Sequence, residues 1–381
     1  MDIIVKYIDE LLEKSTPEAP MWNIEKIRQG LKSNWNYIDG VMIKAVLQMY
    51  DVTKDEKYLK FADNFIDYRV HEDGTIDGYN IGEKNIDNVN AGKTLFELYD
   101  LTGKEKYRKA IDLVYSQIEI MPRCNNEARS FWHKDIYPNQ VWLDGLYMGL
   151  PFYLEYETRY NDRKNYSDIF GQFKFVIENM RNPINGLYFH AMDTSREAFW
   201  CDKVTGLSQH SWLRAIGWYT MALIDTLDQV DNKDHKYDAE CKMLEDAFKD
   251  LVDSMLKYQD ESGMWYQVVN YGGMDKNYLE TSGSSIMAYA LLKAIRLGYL
   301  SDDYAQYAKK AIDGICERYL KTKEDGSLSL GGICLVAGLG GNGRRSGTYD
   351  YYMSEPIVED DAKGVGPFLL AYTELLRYEN K

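Results

Sequence analysis

The sequence has few prolines, few cysteines and too little positive charge to offset its acidic residues. It contains 8 Pro and 5 Cys in 381 residues, and its formal net charge is −15. No two cysteines have the spacing of a metal-ligand pair, so we expect buried, reduced thiols. Binding to phosphate backbones requires a basic surface, and this charge argues against a nucleic-acid partner. An anionic ligand would need a local basic pocket inside an acidic shell.

Long apolar runs and several catalytic signatures are also missing. No apolar stretch is long enough to span a membrane, so we expect no membrane partner. The N-terminal segment MDIIVKYIDELLEKS has the pattern of a charged amphipathic helix and lacks the features of a signal peptide, which predicts a cytoplasmic location. The patterns HxH, HExxH and GxSxG do not occur. We therefore expect no metal, no other cofactor and no serine nucleophile. We also expect a monomer.

A repeat is present in the first third of the chain. Residues 50–58 are YDVTKDEKY and residues 99–107 are YDLTGKEKY, and each copy ends one helical pattern and begins another. Weaker copies lie at 156–176 and 296–315. A period of about fifty residues predicts one helical hairpin per repeat.

Helical spacing of apolar residues continues through the chain, at 41–50, 211–230, 240–257 and 283–297. Counting hairpins gives about six. We therefore predict an all-α fold, a six-hairpin (α/α)6 barrel or toroid that forms a single catalytic domain over residues 1–381. Loops rich in Gly, Asp and Tyr predict short strands on one rim. An open solenoid is the alternative, but it would need polar capping helices, and the final helix is apolar.

Two aspartates are the candidate catalytic groups. Asp144 in VWLDGLYMG (141–149) has apolar neighbours, and Met148 lies one helical turn later on the same face. A carboxyl group in such surroundings is poorly solvated, which favours a general acid. Asp87 in NIDNVNAGK (85–93) could be the second carboxylate that acid–base chemistry on sugars requires. Each aspartate could instead be a helix N-cap.

Aromatic, histidine and arginine residues could form a sugar site around them. The chain has 32 Tyr and 8 Trp, whose flat rings suit contact with sugars, although a core position is the ordinary place for each. His133 and His190 each fit either a hydrogen-bonded rim residue or a catalytic one. Arg214 and Trp218 are spaced i, i+4 and share a helical face, which suits a uronate carboxylate and its ring, or else a core helix with a snorkelling Arg.

The segment GLGGNGRRSGTYDYY (338–352) contains a literal GxGxxG. A dinucleotide site would need a strand before it and a helix directly after it, and a Tyr-rich loop follows here. We reject that interpretation. A glycine-rich loop that presents Arg344 or Arg345 to an anion is the better hypothesis.

The segments VWLDGLYMG, FHAMD, WLRAIGW and SEPIVEDDAKGVGPF occur in this order along the chain. Together they resemble the unsaturated rhamnogalacturonyl hydrolases of glycoside hydrolase family 105, with similarity from residue 21 to residue 372. The resemblance implies an α/α barrel with a central site in which Asp144 is the proton donor and Asp87 assists. Around the sugar it implies Lys134, Trp142, Met148, His190, Trp212, Arg214 and Trp218. From the 33–40 and 338–352 loops, Tyr37, Arg344 and Arg345 are further candidates for substrate binding.

The resemblance also implies the reaction. The expected substrate is a small oligosaccharide whose non-reducing uronate carries a C4–C5 double bond. The acid protonates C4, water adds at C5, and the resulting hemiketal collapses and releases the neighbouring sugar. Protonating carbon needs an acid that stays protonated near neutral pH, and an ionised Asp87 would stabilise the oxocarbenium-like transition state.

Three alternatives remain at this stage. An unsaturated glucuronyl hydrolase shares the fold and chemistry but prefers disaccharides from glycosaminoglycans, and a sulfate-binding pocket would favour it. A sugar epimerase on a similar toroid would need a pair of catalytic histidines. A non-catalytic helical scaffold would not need aromatic, Arg and Asp residues concentrated in the loops between hairpins.

Overall fold

Twelve of the helices alternate between an inner and an outer ring. The computed structural model describes residues 2–341 and 344–380. The inner helices are α3 (Tyr37–Thr53), α5 (Lys93–Thr102), α7 (Leu143–Tyr160), α9 (Leu213–Gln229), α11 (Thr281–Arg296) and α14 (Ala362–Glu379). The outer helices are α1 (Asp2–Glu13), α4 (Glu56–Asp67), α6 (Glu105–Ile120), α8 (Tyr166–Asn179), α10 (Asp238–Leu256) and α12 (Ala305–Tyr319). Two short helices, α2 (Ile24–Gln29) and α13 (Tyr349–Ser354), lie outside this alternation.

Burial separates the two rings. In α9, 14 of 17 residues are buried, whereas α4 buries only 4 of 12. A helix that is apolar on one stripe packs against one layer, and a helix buried all round must have neighbours on every side. The inner helices pack side by side, and α14 contacts both α11 and α3, which closes the ring. The predicted all-α toroid of six hairpins is confirmed, and an open solenoid is excluded.

Glycines allow the inner elements to approach closely. A Cβ added at Gly40 would lie 2.5 Å from the Ala91 Cα, and one at Gly366 would lie 2.8 Å from the Val41 side chain. The first contact is with backbone, which cannot move aside as a side chain can. These positions therefore fix α3 between its two neighbours in the ring.

The repeated motif forms the same turn twice. Lys54 and Gly103 end α3 and α5 in the left-handed conformation, at φ values of 55° and 68°. The hydroxyls of Thr53 and Thr102 bond the carbonyl four residues earlier, at 2.7 and 2.6 Å. This local chemistry explains why the motif recurs: it reverses the chain between an inner and an outer helix.

The strands are short and lie in the loops, as predicted. They pair antiparallel in three ladders: β1 (Gln140–Trp142) with β2 (Ala191–Asp193), β3 (Leu320–Thr322) with β4 (Leu328–Leu330), and β5 (Ile333–Cys334) with β6 (Ile357–Val358). Four 3-10 segments occur in the described ranges, at Ile81–Glu83, Ile86–Gly92, Val269–Tyr271 and Asp302–Tyr304.

Two smaller observations complete the fold. All five cysteines are free thiols, but Cys241 and Cys316 are only half-buried, so the expectation of full burial is wrong for these two. They lie on the outer helices α10 and α12, which are buried on one face only. No helix among the described residues is long and apolar enough to cross a membrane. Gly343, the last glycine of the rejected GxGxxG pattern, lies outside the described residues.

Candidate active site

One cavity gathers most of the predicted residues. It has a volume of about 270 Å³ and opens where the loops meet the N-terminal ends of α3 and α7. It is lined by Glu25, Tyr37, Asp87, His133, Lys134, Tyr137, Trp142, Asp144, Met148, Val336, Ala337 and Arg345. Both candidate carboxylates are therefore present in one polar pocket, together with two cations.

Asp144 lies in the first turn of α7. The helix begins at Leu143 and its N-cap position is Trp142, so the N-cap interpretation of Asp144 is wrong. Only 14% of its side chain is exposed, and its Oδ2 lies 3.4 Å from His190 Nε2. That oxygen has no hydrogen-bond partner among the described residues. Asp144 is thus a largely buried carboxyl group, and one of its oxygens is free to contact a bound ligand.

His190 reaches Asp144 because β1 pairs with β2. In this ladder Trp142 lies opposite Ala191, and the amide of Leu143 donates to the carbonyl of His190 at 3.1 Å. The side chain of His190 is fully buried, and its Nδ1 lies 2.8 Å from the Tyr352 hydroxyl. The histidine is therefore held between α7 and α13.

Asp87 sits on the 3-10 segment before α5, and its N-cap interpretation is also wrong, because Asn85 caps that segment. The amide of Ile86 donates to the carbonyl of His133 at 3.1 Å. This contact brings the Lys134 ammonium to 2.7 Å from Asp87 Oδ2. Burial opposes ionisation of Asp87, but the pKa of Asp87 still lies below its ordinary value, chiefly because of the charge of the Lys134 ammonium. Asp87 is accordingly an anion at neutral pH.

Two other polar side chains of the cavity, His133 and Tyr37, stay neutral. Burial lowers the pKa of His133 to about 4, although Asp87 opposes this shift, so its ring is uncharged near neutral pH. Burial raises the pKa of Tyr37 well above its ordinary value, and the Glu25 and Asp87 carboxylates add to the rise. The hydroxyl of Tyr37 therefore keeps its proton and can donate a hydrogen bond.

Stacked rings form one wall of the cavity. The Trp142 indole stacks with the rings of both His133 and Tyr137, with centroid distances of 4.4 and 5.1 Å and nearly parallel planes. Its Nε1 donates to the Gln140 side chain at 3.1 Å, which fixes the ring. A rigid aromatic wall of this kind suits the face of a sugar ring.

Arg345 is the cavity's second cation, after Lys134. It forms no ion pair with any other residue in the described ranges, whereas Lys134 is paired with Asp87. A Cβ at Gly338 would lie 2.8 Å from the Arg345 Nη1, so the glycine leaves room for the guanidinium. Arg344 does not line the cavity, and its guanidinium stacks over Phe199 at 5.4 Å. The structure thus distinguishes two adjacent arginines that the sequence could not.

The family resemblance placed three further residues around the sugar, but the structure does not place them in the cavity lining. They are Arg214, Trp212 and Trp218. Arg214 is 1% exposed, donates to Ser282 Oγ at 2.7 Å and to the carbonyl of Cys334, and lies 3.5 Å from Glu280. Trp218 stacks on Tyr147 at 5.0 Å. Arg214 and Trp218 share a face, but that face of α9 packs against other inner elements.

Trp212 is a buried ring behind the wall. It contacts His190 at 4.8 Å and stacks with Tyr352 at 6.1 Å between centroids. Trp212 therefore supports His190, which does not line the cavity itself and approaches it only at Asp144. Sequence reasoning missed Glu25, Tyr137 and Tyr352. Only Tyr137 left a signal, since it follows Lys134 by three residues in an aromatic segment.

A twelve-helix toroid with two carboxylates, one ionised and one sequestered, beside an aromatic wall defines a glycosidase of the α/α-barrel class. The chain belongs to Glycosyl Hydrolase Family 88, whose family model matches residues 8–379. It is a glycoside hydrolase, and the family comprises unsaturated glycuronyl hydrolases.

Individual relatives agree with this assignment. The structure is similar to that of a family 105 glycoside hydrolase from C. acetobutylicum ATCC 824, with a TM-score of 0.89, 42% identity, and coverage of 100% of this chain and 99% of that one. The chain is 40% identical over 235 residues to protein Atu3128 of Agrobacterium fabrum, covering 60% of this chain and 98% of that protein. It is 25% identical over 300 residues to the unsaturated rhamnogalacturonyl hydrolase YesR of Bacillus subtilis, covering 77% and 78%. The resemblance to family 105 is confirmed.

Proposed function

We propose that this enzyme releases an unsaturated galacturonate from rhamnogalacturonan disaccharides by hydrating the C4–C5 double bond. The observation that carries the proposal is that the chemical groups it needs line one cavity. That cavity contains Asp144, the Asp87–Lys134 ion pair and Arg345, and the Trp142 ring forms its wall. The similarity to a rhamnogalacturonyl hydrolase favours the pectin-derived substrate.

The residues divide the reaction between them. Asp144 gives its proton to C4, and positive charge develops at C5 and the ring oxygen. The ionised Asp87 stabilises that charge. A water molecule attacks C5 and loses a proton to the Asp144 carboxylate, which regenerates the acid. The C5 hemiketal then opens to a ketone, and the hemiacetal exposed at C1 expels the neighbouring sugar as an alcohol and becomes an aldehyde. Atoms and charge balance with water as the co-reactant.

The direct test is an absorbance assay. The protein is incubated with disaccharides that a rhamnogalacturonan lyase produces, and with those from a glycosaminoglycan lyase. Loss of the near-ultraviolet absorbance of the unsaturated acid reports the reaction. Faster loss with the pectin-derived substrate supports the proposal, and faster loss with the glycosaminoglycan substrate identifies an unsaturated glucuronyl hydrolase instead. Loss with neither overturns the function. A cytoplasmic, monomeric enzyme without cofactor stays a prediction.

Arg345 is the expected ligand of the substrate carboxylate. Replacing it with Ala should raise KM by the value of a charged hydrogen bond, about 1.5–3 kcal/mol, or about ten- to a hundredfold, with a smaller change in kcat. The measurement is Michaelis kinetics on the disaccharide. Arg344→Ala is the matched control. If KM rises more in Arg344→Ala than in Arg345→Ala, then Arg344 is the ligand of the substrate carboxylate.

The Lys134 ammonium should set the acid limb of the pH profile. Asp87 must be ionised, and Lys134 lowers its pKa. In Lys134→Met burial acts unopposed by that charge, so the pKa of Asp87 rises and the acid limb of kcat/KM moves to higher pH. The control is Lys84→Met, whose ammonium lies 3.6 Å from Asp135 outside the cavity. If the acid limb does not shift in Lys134→Met, it does not report the ionisation of Asp87.

A further inference from the structure

The hydroxyl of Tyr352 makes one hydrogen bond among the described residues, and its partner is His190. Tyr352 is on α13, is 0% exposed, and its hydroxyl lies 2.8 Å from His190 Nδ1. The two residues are 162 positions apart in the chain. No other hydrogen bond of this hydroxyl is found among the described residues.

In the hydrogen bond between Tyr352 and His190, the donor can be identified from the acceptors that are available. A phenol has one proton to donate, and a neutral imidazole carries a proton on one nitrogen only. Burial raises the pKa of Tyr352 well above its ordinary value, so the phenol keeps its proton. Nδ1 is the acceptor within reach, and a buried hydroxyl without an acceptor would cost free energy. The hydroxyl therefore donates to Nδ1, which leaves the ring proton on Nε2.

The other ring nitrogen faces the catalytic acid. His190 Nε2 lies 3.4 Å from Asp144 Oδ2, and neither atom has a hydrogen-bond partner among the described residues. In the tautomer that Tyr352 selects, an N–H points towards this carboxyl oxygen. Catalytic contacts that are long in the free enzyme commonly shorten once substrate is bound.

We propose that Tyr352 is a positioning residue that fixes His190 as the Nε2–H tautomer, so that His190 stabilises the Asp144 carboxylate formed when the proton leaves for the substrate. The role of the carboxylate rests on the proposed function, but the tautomer does not. Without Tyr352 the ring could carry its proton on Nδ1 and would then present a lone pair to an anion.

Other titratable groups lie near the Tyr352, His190 and Asp144 side chains. They are His133 in the loop between α6 and β1, His210 in the loop before α9, Cys334 on β5 and Tyr351 beside Tyr352 on α13. None of them is within hydrogen-bond distance of either His190 ring nitrogen. The choice of tautomer therefore depends on Tyr352.

The first experiment needs no altered activity. Two-bond proton–nitrogen NMR spectra of the uniformly labelled protein distinguish protonated from bare ring nitrogens, and the chain has 5 His. His190 is assigned as the ring missing from the spectrum of His190→Gln. The expected result is a proton on Nε2 and none on Nδ1. A proton on Nδ1 in the unaltered protein overturns the proposal, whether or not any disaccharide is cleaved.

The second experiment is the variant Tyr352→Phe. The loss of one buried hydrogen bond should lower kcat about three- to tenfold with little change in KM. Tyr349→Phe is the control on the same helix, since its hydroxyl donates to the carbonyl of Asp275 at the surface.

The spectroscopic and kinetic outcomes separate the possible failures. If Tyr352→Phe keeps the Nε2–H tautomer, its hydroxyl is only structural and the inference is wrong. If the tautomer changes as expected while no unsaturated disaccharide is cleaved by the unaltered protein, the proposed function has failed and the positioning of His190 stands.

Discussion

Asp144→Asn should lower kcat by about 10²–10⁴ while leaving substrate binding nearly unchanged. The substitution keeps the shape and the polar contacts of the side chain but removes the proton that C4 must receive. Asp144 is well placed to deliver it, because its side chain is 14% exposed and its Oδ2 has no protein hydrogen-bond partner in the described part of the chain. The measurement is steady-state kinetics by loss of absorbance, with KM compared between the two proteins.

The control for this variant is Asp135→Asn. Asp135 is an exposed carboxylate 3.6 Å from Lys84 and does not line the cavity, so turnover should be unchanged. Thermal unfolding of Asp144→Asn should match that of the unaltered protein within a few degrees, which separates loss of the acid from loss of the fold. Near-normal turnover in Asp144→Asn would remove this residue from the chemistry.

Asp87→Asn should slow the enzyme by about 10²–10³, the effect of losing one preorganised electrostatic contact with the transition state. Asp87 is held as an anion 2.7 Å from Lys134. The amide would neither stabilise the developing positive charge nor neutralise Lys134. The positive charge left beside the substrate carboxylate should keep or lower KM, so the loss should appear in kcat.

The pH profile distinguishes the two aspartates. In Asp87→Asn the acid limb that reports ionisation of Asp87 should disappear. If Asp144→Asn retains turnover while Asp87→Asn is inactive, the two roles are reversed. If both variants remain active, neither carboxylate performs the chemistry.

The fold was largely predictable from sequence because its unit is local. A helical hairpin is specified by apolar spacing and by a turn, and the Thr53 and Thr102 turns repeat the same contacts within a few residues. Closure of the ring rests on the contacts of α14 with α11 and α3. The ordered segments around Asp144 and His190 also carried the family resemblance, which brought most of the cavity residues with it.

The details of the site could not be predicted in the same way. Apolar neighbours in sequence indicated a desolvated Asp144, but the polar atom that approaches it is His190 Nε2, just before β2, and Tyr352 of α13 holds that ring. Helical spacing placed Arg214 and Trp218 on one face, yet an inner helix is buried on nearly all sides, so sharing a face does not reveal which neighbour that face contacts. Arg214 faces Glu280 instead of the cavity.

By itself, the sequence determined the helical hairpins, their approximate number and the residue types available for chemistry, because these depend on periodicity and on contacts a few residues apart. Only the tertiary structure decided that Arg345 and not Arg344 faces the cavity, and that Glu25 and Tyr352 belong to the site and its support. The His190–Tyr352 contact spans 162 residues, and the ion pair of Glu25 with Lys363 spans 338. Such pairs form only when the ring closes, and no local pattern records them.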